Sequence, residues 1–194
     1  MTPIWIGIAV GALVLFWFVL SFNRFISQRQ LLKNSWSNVE TELRRRYDLI
    51  PGLVETVRGY TVHESRALTE VIEARQGAVD AHGNAATQAG VENILVTGLK
   101  HLFAVTESYP DLRASSAFLD LQRQLVKTED RIQAARRLFN GNVRDYNRRV
   151  EAIPSRIVAA VFGYERESYF EVEPAVRLSG PPPVSRHEGP RRGS

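Results

Sequence analysis

"RRRYDLIPGLVETVRGYTVHE", residues 44–64, decides how this chain folds, because it sets Pro51-Gly52 between two runs of apolar residues at helical spacing. Proline cannot continue the helix that precedes it and glycine favours a turn, so the pair predicts the end of one long helix and a reversal into a second. The stretch closes on His63-Glu64, the start of the zinc-protease pattern His-Glu-x-x-His. Its fifth position is Ala67, so the second ligand is missing and His63 reads as a solvent-facing helix residue.

Upstream, Phe25, Leu32, Trp36, Val39, Leu43 and Ile50 recur in three- and four-residue steps, with Arg29 and Arg46 on the same seam. Farther back, Pro3 to Phe22 carries no charge over about twenty residues, the length a helix needs to cross a bilayer. No basic side chain precedes this run, unlike a cleaved signal peptide, so it reads as a retained anchor. Arg24, Arg29 and Lys33 follow it closely, and the positive-inside rule then puts the amino terminus outside and the bulk of the chain in the cytoplasm. With no breaker between Ser21 and Asp48, the span is expected to leave the membrane as one rod.

Downstream, Val54, Val57, Thr61, Glu64, Leu68, Val71 and Arg75 predict a second helix of about thirty residues, ending before "AHGNAAT". A third is expected over 88–107, with Leu95, Leu99, Leu102 and Phe103 inward and Tyr109-Pro110 as its stop. Ser115 or Ser116 caps a fourth, over 117–153, whose apolar side runs from Phe118 through Ile132 and Phe139 to Val150. No run has the period of a strand. The fold class expected is all-α: a transmembrane anchor over 1–22, an antiparallel up-down four-helix bundle over 23–173, and a tail over 174–194 whose proline, glycine, serine and arginine content cannot order itself.

Composition excludes several chemistries. The chain has 194 residues and no cysteine, so disulfides, thiolate metal sites and cysteine nucleophiles are absent. A formal charge of +4 lacks the dense basic patch that nucleic-acid binding requires. His82, His101 and His187 have no partner at ligand spacing, and no Gly-x-Ser-x-Gly or phosphate loop occurs, so no catalytic, metal or cofactor residue is assigned. "RRR" at 44–46 reads as a solvated helix end, favoured by the helix dipole, ahead of a phosphate site.

Polar residues on the seams say more. Glu129, Arg136, Asn140 and Asn147 align within about twenty degrees along the fourth helix. Glu64 and Arg75 lie on the second. Either these are half-exposed boundary residues or they form a partly buried network that fixes helix register, with Glu129 and Arg136 specifying the bundle. The fourth helix would return to the membrane carrying Arg144, Arg148, Arg149 and Arg156, followed by the apolar and aromatic "IVAAVFGYERESYF" that includes Phe162. That end either contacts lipid or caps the open end of the bundle.

"RRYDLIPGLVETVRGYTVHE", "ESYPDLRASSAFLDLQRQLVKTEDRI" and "AARRLFNGNVRDYNRRVEAIP" resemble, in that order, the bacterial LemA family, over about residues 25–170. The resemblance implies a bacterial, membrane-anchored helical protein and implies no enzyme. It carries motif positions onto Arg46, Asp48, Glu64, Glu107, Glu129, Arg136, Asn140 and Asn147. Gly52 stands where asparagine is common in the family and should reshape the turn; Phe139 stands where tyrosine is usual and removes a hydroxyl. The function expected is a non-catalytic scaffold in the inner membrane that docks other membrane-associated proteins and needs no cofactor, with homo-oligomers possible. The alternatives are a lipid-binding or membrane-remodelling module, and a hydrolase built on Glu64, Glu107 or Glu129.

Overall fold

A single helix, α1 (Thr2–Arg58), carries the apolar amino-terminal run straight into the packed region. The computed structural model describes residues 2–61 and 64–172, so the expectations for His63, His187 and the tail from 174 lie outside the described residues. After α1 come α2 (Ser65–Asp80), α3 (Ala85–Thr106), the short α4 (Pro110–Ala114), α5 (Ser116–Glu151) and α6 (Ser155–Phe162). Among the described residues there is no strand.

The expected break at Pro51-Gly52 is not where the chain turns. Pro51 lies inside α1, and the helix ends seven residues later, where Gly59, Tyr60 and Thr61 fold back on the carbonyls of Glu55 and Val57. Proline without an N–H leaves the carbonyl four residues earlier, that of Tyr47, with no helical partner. Arg75 on α2 supplies one: its Nε donates to the Tyr47 carbonyl at 2.8 Å. The helix therefore continues through proline because a neighbouring helix fills the missing bond. The second helix is correspondingly shorter than the thirty residues expected, since Val54 and Val57 belong to α1 and α2 has 16 residues. Gly52 shapes no turn; it sits within α1, where an added Cβ would meet Leu121 at an ordinary 3.5 Å.

Two antiparallel pairs make up the packing. Along α1 and α5, contacts climb one helix as they descend the other: Gln28 meets Arg149, Trp36 meets Phe139, Arg46 meets Glu129, and Gly52 faces Leu121. Phe25, Leu32, Val39, Leu43, Ile50, Leu53 and Val57 of α1 are buried along this seam with Phe118, Leu125, Ile132, Phe139, Val143 and Tyr146 of α5. The second pair, α2 with α3, is a shorter hairpin in which Glu70 meets His101 and Gly98 lies under Val71. Asn84 caps α3 through Thr87 N–H at 3.0 Å, and Ser115 caps α5. The hairpin lies against the part of α1 farthest from the apolar run, through Arg75 to Tyr47 and Glu92 to Arg46. Nearer the apolar run, α1 and α5 are joined instead by α6 and by an extended strap, residues 164–172.

From Ile4 to Phe16, α1 exposes its large apolar side chains, with Trp5 at 70% and Leu13 at 67%, while Trp17 and Phe18 are partly buried. This one helix, among the described residues, is long and apolar enough to cross a membrane.

Candidate functional site

Among the described residues the interior holds one cluster of charge. Arg46 of α1, 2% exposed, stands between Glu92 of α3, 0% exposed, and Glu129 of α5, pairing with Glu92 and reaching Glu129 at 3.0 Å. Three helices therefore meet on one guanidinium, whose rigid fork suits two carboxylates. Glu92 is satisfied at both oxygens, since Tyr47 OH donates to one and Arg46 to the other, while Gln88 Nε2 donates to Glu92 at 3.1 Å and to the Ala78 carbonyl at 3.1 Å. Gln133 holds Glu129 from one turn away at 2.8 Å. Burial, followed by the adjacent Glu92 charge, drives the Tyr47 phenol well above its ordinary pKa, so Tyr47 stays a donor. The Arg46 Nε is buried and has no hydrogen-bond partner among the described residues.

The polar row on α5 does something else. Asn140 and Asn147 each grip the strap with both ends of the amide: Asn140 accepts from Phe170 N–H at 2.9 Å and donates to its carbonyl at 3.0 Å. Asn147 repeats this with Glu167, at 2.9 Å each way. A carboxamide copies the donor and acceptor of a peptide group, so one helix face serves as a pairing edge for an extended segment. Arg136 donates to the carbonyl of Val172, and Asn93 of α3 to that of Glu171 at 3.3 Å. Phe170 closes the arrangement, fully buried and edge-on to Trp36 at 5.4 Å.

The residues expected to form one polar set are thus divided. Arg46 and Glu129 meet at the ion cluster; Arg136, Asn140 and Asn147 hold the strap, and Arg136 does not pair with Glu129. Arg75 binds the Tyr47 carbonyl, and Glu64 accepts from Tyr109 OH at 3.3 Å. Glu107 is exposed at the end of α3, and Asp48 is exposed on α1. His101 contacts Glu70 at 2.8 Å, and His82 is exposed in the loop between α2 and α3. Among the described residues no group of three acidic, histidine or cysteine side chains is placed to hold a metal ion.

Glu92, Tyr47 and Gln88 escaped the sequence reading. Glu92 did leave a signal, since it falls between Ala89 and Val96 on the buried seam of α3 at steps of three and four. At the other end of the molecule, Arg149 donates to Gln28 at 2.7 Å, and Phe162 packs on Phe22 with ring centroids 4.6 Å apart. Arg144 lies beside Asp145 at 3.7 Å, whereas Arg148 and Arg156 are exposed.

Two comparisons bear on this architecture. The LemA family pattern matches residues 35–185. The magnetosome proteins MamQ 1 and MamQ 2 of Paramagnetospirillum magneticum are each similar at 23% identity over 182 residues, spanning 81% of this chain and 67% of the relative.

Proposed function

Because this chain belongs to the LemA family, we propose that it is a non-catalytic, single-pass membrane protein whose helical region docks other membrane-associated proteins. The observation that carries this is the continuity of α1, which joins the exposed apolar residues to the buried seam without a break and so holds the packed helices at a fixed height above the bilayer. α1, α2, α3 and α5 act together as an antiparallel four-helix bundle at the end far from the membrane. Its interior charges are engaged by one another, which favours a rigid body over a reacting cavity. Arg24, Arg29 and Lys33 directly after the apolar run favour the cytoplasmic side of a bacterial inner membrane for the bundle. Anchoring raises the local concentration of the docking surface for neighbours in the same membrane.

In-cell crosslinking followed by affinity capture tests this role, comparing the full chain with a version that starts at Asn23. A reproducible set of membrane-associated partners is expected with the full chain and should fall away without the anchor. Recovery of uncrosslinked monomer from both would remove the scaffold role. Turnover that survives purification and disappears in Glu129→Gln would replace it with an enzyme.

A further inference from the structure

Helix α6 has two faces that the packing treats differently. Val158 and Ala159 are buried, while Ile157 and Val161, four residues apart, are 59% and 64% exposed. Phe162 at its end touches Phe18 and Phe22, with centroids 5.8 and 4.6 Å apart. The apolar end of α6 therefore adjoins the apolar surface of α1 at Phe18 and Phe22.

Where α1, the end of α5 and the start of α6 meet lies a pocket of about 460 Å³ lined by Gln28, Asp145, Arg148, Arg149, Ala152 and Ser155. Gln28 is six residues beyond Phe22, about 9 Å along the helix, which is headgroup depth if Phe22 ends the hydrocarbon span. The nearby acids are partly occupied: Asp145 lies beside Arg144 at 3.7 Å and Glu151 binds Arg166 at 3.1 Å. Among the described residues no carboxylate pairs with Arg148. Partial burial and then the neighbouring Arg24 charge weaken the hold of Arg149 on its proton, and its Nε already donates to Gln28 at 2.7 Å.

We propose that this pocket binds the phosphate of an anionic phospholipid through Arg148 and Arg149, while Ile157, Val161 and Phe162 of α6 lie in the acyl boundary beneath it. Two arginines beside an exposed apolar face match a ligand that is anionic at one end and apolar at the other, which a free phosphate does not satisfy. The site rests on α1 crossing the membrane, as proposed above, and not on any protein partner.

The test uses the full chain. Native mass spectrometry of the detergent-purified protein given equal phosphatidylglycerol and phosphatidylcholine should show retained phosphatidylglycerol. Arg148→Gln, at an exposed residue outside the packing, should lower that retention about fivefold, and Arg148→Gln with Arg149→Gln about thirtyfold. Equal retention of both lipids, or inorganic phosphate binding as well as phosphatidylglycerol, would overturn the assignment. The absence of cysteine allows a single label at Val161→Cys, Leu13→Cys or Gln76→Cys in the reconstituted protein. Quenching by lipid-borne nitroxide is expected at 161 and 13 and not at 76. Quenching at 13 alone would refute the seating of α6 while leaving the span intact; no quenching at either would refute both.

Discussion

Arg75 and Tyr47 are joined by a bond that the sequence of α1 makes necessary: the guanidinium Nε of α2 donates at 2.8 Å to the carbonyl that Pro51 leaves without a helical donor in α1. Arg75→Met should expose this half-buried carbonyl to desolvation and cost about 1 to 3 kcal/mol. Pro51→Ala restores the local N–H, so the double variant should lose much less than Arg75→Met does alone. Thermal unfolding of the full chain in detergent measures both, and additive losses would show that the bond is not coupled to the proline.

The buried ion cluster sets a sharper asymmetry. Arg46→Met leaves Glu92 and Glu129 facing each other with no cation between them, a loss of about 3 to 5 kcal/mol. Replacing Arg46, Glu92 and Glu129 together by apolar residues removes the desolvation cost along with the attraction and should cost less than the single change. The same unfolding measurement distinguishes the two outcomes.

Strap attachment is local and should be read locally. Asn140→Ala removes both bonds to Phe170 and Asn147→Ala both bonds to Glu167. Amide hydrogens of 167–172 should exchange faster in either variant, while the α2 and α3 amides keep their protection. Equal acceleration throughout would mean that the strap opens only with the whole fold.

The pair on the hairpin surface gives a pH dependence. The hydrogen bond from His101, and then that from Arg66, lowers the Glu70 pKa below its ordinary value. A depressed carboxyl pKa contributes stability that is present above the unfolded pKa and lost as pH falls through the folded one. Carboxyl-carbon titration by NMR should find the Glu70 midpoint low in the parent and closer to the ordinary value in His101→Ala.

Residue periodicity made much of this fold legible. Phe25, Leu32, Val39, Leu43 and Ile50 carry the α1 seam in sequence as in space, and Ser115 is the cap of α5. The turn was misplaced because the proline rule counts local donors, and the donor that rescues Tyr47 comes from Arg75, twenty-eight residues away. Alignment of Arg136, Asn140 and Asn147 was visible, but their partner was not, since the strap presents backbone groups and backbone has no sequence signature. The Arg46 cluster is half visible in the sequence: Arg46 and Glu129 stand out on their seams, whereas Glu92 stands in a third helix whose inward face reads from Leu95, Leu99, Leu102 and Phe103.

The unbroken course of α1 makes the molecule a lever. From Phe22 to Arg58 the helix extends about 54 Å, so with the apolar run seated in a bilayer as proposed, a lean of 10° would swing the outer end sideways by about 9 Å. Bilayer thickness, by setting that lean, would decide which neighbours the far end can reach.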